Sequence, residues 1–269
     1  MSQAKRISVA ITIAGSDSGG GAGIQADLKA FARSGVQGTS AITAITAQNT
    51  VEVTAIHQVP PEIVIAQVRA VAEDIAIDAV KIGMLGTAET IDAVVDALGY
   101  VGETPVVVDP VLVAESGAVL LDPAARTALI EKLLPLATVA TPNILEAREL
   151  TGLGEEASQE DLARAVHALG PGAVVITGGH TADGADVLYD GDGDPVRIEG
   201  PRHAPGATHG SGCTHSSTLA AQLARGASVL EAAREAKRIT SEAVEHGLRE
   251  IGAGSGPVDA LGLTRPLEE

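Results

Sequence analysis

Aromatic residues are almost absent from this chain of 269 residues, which has one Phe, two Tyr and no Trp. Proteins that bind nucleic-acid strands stack the bases on aromatic side chains and contact the phosphates with Lys and Arg. Here Asp and Glu outnumber Lys and Arg by 35 to 18, which gives a formal net charge of −17. The sequence therefore predicts that nucleic acid is not a partner.

Cysteine and long apolar runs are also scarce. Cys213 is the single cysteine, which excludes an internal disulfide and a metal site built from several cysteines. No stretch approaches the length of a membrane span, and the short apolar run near the start leads directly into a glycine-rich loop, which indicates a first strand rather than a cleaved signal. We expect a soluble, cytoplasmic protein with no membrane partner.

Lysine is the rarer of the two basic residues. Only five of the 18 are Lys, at positions 5, 29, 81, 132 and 237. Two interpretations stay open: an ordinary acidic cytosolic protein, or a halophilic one adapted to high salt. In the second, concentrated ions screen the repulsion among the carboxylates.

Ala, Val, Ile and Leu make up most of the 45% hydrophobic fraction, and predicted strands and helices alternate along the whole chain. Small branched side chains suit a parallel sheet that is covered by helices on both faces. No repeat or Pro/Ser-rich linker divides the chain, so we expect one α/β domain over residues 1–269. Among its predicted elements are strands over 7–14 and 78–82, helices over 24–33, 124–134 and 218–225, and an edge hairpin over 185–199.

A glycine-rich turn over residues 208–217 is the centre of the predicted site. It contains Gly210, Ser211, Gly212 and Cys213 and runs into an apolar, alanine-rich helix. Glycines let the backbone approach a ligand, and unpaired N–H groups at a helix start bind anions. Taken alone, such a turn is also typical of an ordinary capped helix.

Other special residues each follow a predicted strand. They are the loop 15–23, Gln48, Met84, Asp109, Asn143 and Gly178. In open α/β sheets, ligands bind at the carboxyl ends of the strands. The loop 15–23 lacks the features of a dinucleotide or Walker motif, and the acidic run 190–194 lacks the closing Glu of a calcium loop. We expect one ligand site along this edge of the sheet.

The motifs together resemble a known family. AGSDSGGGAGIQADLKAF, TAITAQNT, KIGML, VVVDPV, TPNILEA, GGH and THGSGCT occur in the order and spacing of the hydroxymethylpyrimidine and phosphomethylpyrimidine kinases. The similarity extends from Ile7 to about Val258. It implies a ribokinase-like three-layer α/β sandwich and a kinase of thiamine biosynthesis. That kinase uses ATP and Mg²⁺ to phosphorylate a small hydroxymethylpyrimidine and then its monophosphate.

The resemblance also implies a role for each motif. Gly210, Ser211, Gly212 and Cys213 are catalytic, with Cys213 either the base that takes the hydroxyl proton or only part of the anion hole. A thiolate at a helix N-terminus is stabilised by the helix dipole, so a low pKa is expected. The other implied residues are Gly15, Ala22, Asp27, Gln48 and Met84 for the pyrimidine, Thr177, Gly178 and His209 for ATP, and Asp109, Asn143 and Glu146 for Mg²⁺.

The chain departs from the family pattern at two positions, where the family has a basic residue and this chain has none. Thr177 stands where the family has a lysine before Gly-Gly-His, and residues 204–207 replace a basic residue before the anion turn. His180, His209 or bound cations are candidate replacements. The alternatives to a pyrimidine kinase are a pyridoxal kinase of the same superfamily and a pyrimidine-binding protein with weakened activity. Superfamily kinases often self-associate, so a homo-oligomer stays open.

Overall fold

A single mixed sheet organises the part of the chain that the computed structural model describes, residues 6–112, 123–179, 181, 183–203 and 206–264. Its nine strands are β1 Val9–Asp17, β2 Gln37–Gln48, β3 Val53–Gln58, β4 Ala79–Ile82, β5 Val106–Val108, β6 Val139–Ala140, β7 Val174–Ile176, β8 Asp186–Tyr189 and β9 Val196–Ile198. They lie in the order β3-β2-β1-β4-β5-β6-β7-β8-β9. The six strands from β2 to β7 in this order are parallel. β3 at one edge and β8 and β9 at the other pair antiparallel with their neighbours.

Eight helices accompany the strands in the described residues. They are α1 Gly23–Arg33, α2 Pro61–Ala72, α3 Ala88–Leu98, α4 Pro123–Ala128, α5 Ile144–Thr151, α6 Gln159–His167, α7 Ser211–Ala224 and α8 Val229–Glu245. A π-helical segment and a 3₁₀ turn, Leu129–Leu133 and Leu134–Leu136, extend α4.

Hydrophobic residues are buried on both faces of the sheet. Helices α2, α3 and α4 pack on one face of the sheet against Ile11, Val80 and Val106. On the opposite face, α1, α7 and α8 cover alternate residues of the same strands, such as Ala10 and Val107. The predicted three-layer α/β architecture is confirmed. Strand order reverses at β1, which has β2 on one side and β4 on the other, so the carboxyl ends of β1 and β4 flank the crevice where such folds bind ligands.

Several element boundaries differ from the prediction. β1 continues to Asp17 instead of ending at Ala14, because an extra residue in β2 between Ile42 and Ile45 shifts the register and the pairing then resumes at Ser16. The helix predicted over 124–134 changes to π and then 3₁₀ geometry before it ends, and Pro135 cannot donate a helical N–H. The largest difference is α7, which begins at Ser211, seven residues before the predicted start at Thr218.

Candidate active site

The loop after β1 is built around the carboxylate of Asp17. This carboxylate accepts backbone N–H groups from Gly19 at 2.7 Å, Gly21 at 3.0 Å and Ala22 at 2.8 Å. His209 Nε2 lies 3.0 Å from the same side chain. Burial opposes ionisation of Asp17, but the His209 contact and the backbone donors hold its pKa below the ordinary value. The ionised carboxylate thus ties the glycine loop to the segment that precedes α7.

The loop and the start of α7 touch through two glycines. Gly210, the N-cap of α7, has φ of 82°, and a Cβ built on it would lie 1.8 Å from the carbonyl oxygen of Gly21. Only glycine fits here, because both the left-handed conformation and the close approach exclude a side chain. The contact fixes the first turn of α7 over the end of β1.

The backbone in the first turn of α7 is accessible to a ligand. Gly212 is exposed, and a Cβ built on it would meet nothing within 4 Å. In the described part of the chain, the N–H groups of Gly212 and Cys213 donate to no protein acceptor. Unpaired N–H groups at the positive end of a 14-residue helix form a site for an anion.

The thiol of Cys213 differs from the expectation. Burial raises the pKa of Cys213 to about 12, and the Asp27 and Asp109 carboxylates raise it further, against the lowering effects of Lys81 and of the Gly23 N–H. The expected low-pKa thiolate is therefore wrong for the protein without ligands. Desolvation outweighs the attraction of the thiolate to Lys81.

Beneath α7 lies a buried ion pair. Lys81 Nζ, on β4, is 3.0 and 3.2 Å from the two carboxylate oxygens of Asp27 on α1, and both side chains are 0% exposed. The same carboxylate also accepts Thr12 Oγ1 at 2.6 Å and Ser217 Oγ at 2.7 Å. Because protein donors occupy both oxygens, the prediction that Asp27 contacts the pyrimidine is corrected: Asp27 holds Lys81.

Asp109 and Glu146 provide hard oxygen ligands at the next strand ends. Asp109 accepts Ser216 Oγ at 3.0 Å and lies 3.8 Å from Lys81 Nζ. Burial raises the pKa of Asp109. Burial, reinforced by the charge of Asp109, raises the pKa of Glu146 to about 8. Two nearby carboxyl groups that disfavour simultaneous ionisation have the chemistry of a site for a divalent cation.

Asn143 has a second role that the local sequence indicates. Its side chain accepts the Glu146 N–H at 2.9 Å, and Glu146 accepts the Asn143 N–H at 2.9 Å, so the pair is the capping box of α5. The described residues contain no cluster of three or more His, Cys, Asp or Glu side chains that could hold a metal. The residues that fit Mg²⁺ are therefore Asp109 and Glu146, with Asn143 setting the direction of Glu146.

The other four residues predicted to contact the pyrimidine lie at or just beyond the carboxyl ends of β1, β2 and β4. Gln48 is half-buried at the end of β2, where its backbone N–H and carbonyl are both bound to Ser18. Its Oε1 accepts Thr46 Oγ1 at 3.2 Å. A Cβ on Gly15 would lie 2.9 Å from Met84 Cε, so these two residues are adjacent. Ala22, the N-cap of α1, is half-buried at the entrance to the same loop.

The residues predicted to bind ATP are partly occupied by other protein groups. Thr177 is half-buried, and its N–H bonds the carbonyl of Pro142 at 3.0 Å. Gly178 is buried, and its N–H donates to Asp186 at 2.8 Å, so this N–H is not available to a phosphate. His209 has its ring bound to Asp17 and is 9% exposed, so it is a connector rather than an open phosphate ligand. His180, Ala204 and Pro205 lie outside the described residues.

A cavity of about 610 Å³ lies beside this edge, between β9 and α8. Four basic side chains line it, Arg197, Arg234, Lys237 and Arg238, together with the acidic Glu199, Glu242 and Glu245. Lys237 Nζ also lies 2.8 Å from Asp186, and Asp186 contacts His215 of α7 at 3.1 Å. Lys237 thus links the wall of this cavity to Asp186, which also accepts the N–H of Gly178 next to Thr177.

Some residues that hold the elements of the site together could not be identified from the sequence. Asp17 and Lys81 both lie inside motifs that carry the family resemblance, but those motifs alone predict no role for either residue. For Lys81 the sequence carried a signal, because a lysine within the apolar run of a buried strand must find a partner. Asp186 and His215 gave no such signal, since their pairing depends on the packing of β8 against α7.

The chain is similar to known proteins in both sequence and fold. Residues 17–259 match the family described as phosphomethylpyrimidine kinase. A curated relative from Rhizobium meliloti, a hydroxymethylpyrimidine/phosphomethylpyrimidine kinase, is 50% identical and aligns over 93% of this chain and 96% of its own length. Among solved structures, an ADP complex of Bacillus subtilis pyridoxal kinase has a TM-score of 0.88, 37% identity, and coverage of 96% of this chain and 99% of that chain. Phosphomethylpyrimidine kinase from Clostridium difficile has a TM-score of 0.78, 40% identity, and coverage of 89% and 100%.

No helix in the described ranges combines the length and the apolar character that a membrane crossing requires.

Proposed function

The chain belongs to the phosphomethylpyrimidine kinase family, and from this premise we propose that it is an ATP-dependent kinase of thiamine biosynthesis. Its substrates are 4-amino-5-hydroxymethyl-2-methylpyrimidine and then the monophosphate of that compound. The observation that carries the proposal is the first turn of α7, whose open N–H groups follow directly on the contact between Gly210 and the glycine loop after β1. We further infer that the enzyme acts in the cytoplasm.

The transfer itself needs positioning and stabilisation of charge more than covalent chemistry. The hydroxymethyl oxygen attacks the γ-phosphorus of ATP, a new O–P bond forms, and the bond to the β,γ-bridging oxygen breaks, so that ADP leaves with the electron pair. The N–H groups of Gly212 and Cys213 bind the charge of the transferring group. Since the resting thiol of Cys213 is protonated, the hydroxyl proton leaves late and passes to an oxygen of the transferred phosphoryl group.

Substrate recognition depends on the crevice. The primary amide of Gln48 offers a donor and an acceptor side by side, which matches an exocyclic amine next to a ring nitrogen. Gly15 lets the Met84 side chain pack against the backbone of β1, because a Cβ at Gly15 would lie 2.9 Å from the Met84 methyl group, and this flexible side chain would form one wall of the site for a flat ring. This complementarity favours the aminopyrimidine as substrate.

Mg²⁺ fits the pair Asp109 and Glu146, and when bound it would supply positive charge to the phosphates of the nucleotide. For the nucleotide itself, the cavity between β9 and α8 has a suitable volume, and Lys237 in its wall contacts Asp186, which also accepts the N–H of Gly178 next to Thr177. Thr177 supplies a hydroxyl at the position where the family has a lysine.

A second candidate function is phosphorylation of pyridoxal. The similarity to the B. subtilis pyridoxal kinase structure favours it specifically, since that chain aligns over nearly its full length. Both candidates use the same α7 turn and differ only in the acceptor that binds near Gln48.

The test is product analysis by mass. The protein is incubated with ATP, Mg²⁺ and the hydroxymethylpyrimidine in molar KCl, and the products are followed in time. We expect the monophosphate first and the diphosphate later. Absence of both products from a folded protein would reject the kinase assignment, and a monophosphate that never proceeds would restrict it to the first step.

A further inference from the structure

The C-terminal loop, residues 248–258, contacts three segments of the candidate site and has no part in the proposed transfer step. It follows α8, and its two ends meet where the N–H of Leu248 donates to the carbonyl of Pro257 at 2.9 Å. Compact surface loops with closed ends are frequently functional. Residues 249–254 are exposed, so burial of apolar side chains does not hold this part of the loop. Its contacts with the site do.

The first contact is with the turn that follows Gln48. The N–H of Gly254 donates to Thr50 Oγ1 at 3.2 Å. A Cβ built on Gly254 would lie 1.9 Å from the carbonyl oxygen of Thr50, and one built on Gly252 would lie 2.2 Å from Thr50 Oγ1. Two glycines of the C-terminal loop are thus required by their close approach to one threonine. The loop is fitted against the turn two residues beyond Gln48.

The other contacts are with the start of α7 and with the glycine loop after β1. The carbonyl of Gly256 accepts the N–H of His209 at 3.2 Å, and the N–H of Val258 donates to the carbonyl of His209 at 3.1 Å. His209 comes directly before the N-cap of α7. A Cβ on Gly21 would lie 3.2 Å from Pro257 Cβ, so the C-terminal loop also packs on the glycine loop.

These contacts complete a closed ring of four segments. Ser18 in the glycine loop bonds the backbone carbonyl and N–H of Gln48, at 2.7 and 2.8 Å. The next turn meets the C-terminal loop at Thr50, and that loop meets the start of α7 at His209. The N-cap of α7 then returns to the glycine loop. Each segment is fixed from two sides, as the precise geometry of a binding site requires.

We propose that the C-terminal loop is a positioning element, which through Gly254 and Thr50 fixes the turn after Gln48 relative to the first turn of α7. Its role in catalysis rests on the proposed function, in which Gln48 reads the acceptor and α7 binds the transferring group. The reacting oxygen and phosphorus must come within about 3 to 3.5 Å of each other. A small shift between the two sides therefore slows transfer without removing any group that touches a ligand.

The variants are chosen to move one side of the ring. Gly254→Ala directs a methyl group at the backbone carbonyl of Thr50, which cannot rotate away, and the φ of Gly254 is not positive, so no left-handed strain is added. Thr50→Val is milder, because it keeps the shape and removes the oxygen that accepts the Gly254 N–H. Gly99→Ala is the matched control. Gly99 ends α3 on the face opposite α7, with φ of −60°, and its Cβ would meet only the Asp96 carbonyl oxygen at 3.2 Å.

Kinetics separate positioning from direct contact. In Gly254→Ala we expect kcat for the hydroxymethylpyrimidine to fall about 10-fold or more, because the acceptor oxygen is misplaced. The KM values for ATP and for the pyrimidine should change less than about 3-fold, since the groups that bind both ligands remain. For Thr50→Val we expect kcat to fall about 3-fold, as one hydrogen bond is lost. Gly99→Ala should leave kcat and both KM values unchanged.

Hydrogen exchange tests the mechanical link without any reaction. Exchange of backbone amides, followed by mass spectrometry on the protein without ligands, reports local opening of each segment. Gly254→Ala acts at Thr50, yet we expect exchange to become about 3-fold faster or more both in residues 48–53 and in residues 206–214, which lie on the far side of the ring. Gly99→Ala should change neither segment.

Two results overturn the proposal. One is a folded Gly254→Ala variant with wild-type kcat and wild-type exchange over residues 206–214, which would make the loop a surface connection only. The other is an unchanged kcat with a KM for the pyrimidine raised 10-fold or more, which would indicate a direct contact with the acceptor. If Gly254→Ala does not fold, unchanged kcat and exchange in Thr50→Val reject the proposal. A wild-type protein that phosphorylates no pyrimidine would reject the proposed function, while exchange would still decide the link.

Discussion

At the scale of single residues, the carboxyl group of Glu146 gives a prediction with a definite sign. Burial and the charge of Asp109 raise its pKa to about 8 from an unfolded value of 4.5. The folded state therefore binds this proton more tightly than the unfolded state, so stability is full below pH 4.5 and is lost as pH rises towards 8. Glu146→Gln mimics the protonated form. In EDTA, we expect the variant to melt at a higher temperature than the wild type at pH 8 and to match it near pH 5.

The control for this prediction is the cation. Mg²⁺ at pH 8 should raise the melting temperature of the wild type, because it neutralises the two carboxylates, and should have little effect on Glu146→Gln. Melting curves from pH 5 to pH 9 that are parallel for the two proteins would contradict the raised pKa.

The thiol of Cys213 supports a second prediction at this scale. With a pKa near 12, the folded and unliganded protein should react slowly with iodoacetamide at pH 7 to 9. The rate should keep rising with pH beyond the range of an ordinary thiol, whose pKa is about 8.5. Urea-unfolded protein provides the reference. A midpoint at or below pH 8 in the folded protein would restore the thiolate that the sequence alone suggested.

At the scale of elements, the start of α7 depends on one glycine. Gly210→Ala places a methyl group 1.8 Å from the Gly21 carbonyl oxygen in a left-handed conformation, so we expect a lower melting temperature and at least about a 10-fold loss of kcat. Gly226→Ala is the matched control. Gly226 has φ of 86° but open space around it, so this variant carries the conformational strain without the collision. Equal effects of the two substitutions would show that the contact with Gly21 does not position the turn.

The same helix shows what the sequence could and could not predict. Periodicity and glycine placement located the strands and the anion turn, because those patterns act locally. The true start of α7 was missed because residues 211–217 are Ser, Gly, Cys, Thr, His, Ser and Ser, which favour helix weakly. Burial of Thr214, His215, Ser216 and Ser217 under the sheet overrides that preference. Asp27 was misjudged for a related reason, since nothing local in a helix shows which face meets a buried lysine.

At the scale of the whole molecule, net charge is the dominant feature. With a formal charge of −17, mutual repulsion among the acidic side chains opposes the compact state. At molar salt the screening length falls to about 3 Å. We therefore expect the melting temperature to rise as KCl increases from dilute to molar concentrations. A neutral osmolyte at equal osmolality is the control, and a flat or falling curve in KCl would contradict salt adaptation.

The central claim is that the crevice at Gln48 presents an aminopyrimidine hydroxyl to the anion-binding turn of α7. The most direct measurement is a competition: equimolar hydroxymethylpyrimidine and pyridoxal with limiting ATP, Mg²⁺ and molar KCl, with both phosphorylated products quantified by mass. We predict that the pyrimidine monophosphate exceeds pyridoxal phosphate by about 10-fold or more, because pyridoxal has no exocyclic amine next to its ring nitrogen to pair with the amide of Gln48. Pyridoxal phosphate as the main product, or neither product from folded protein, would contradict the account.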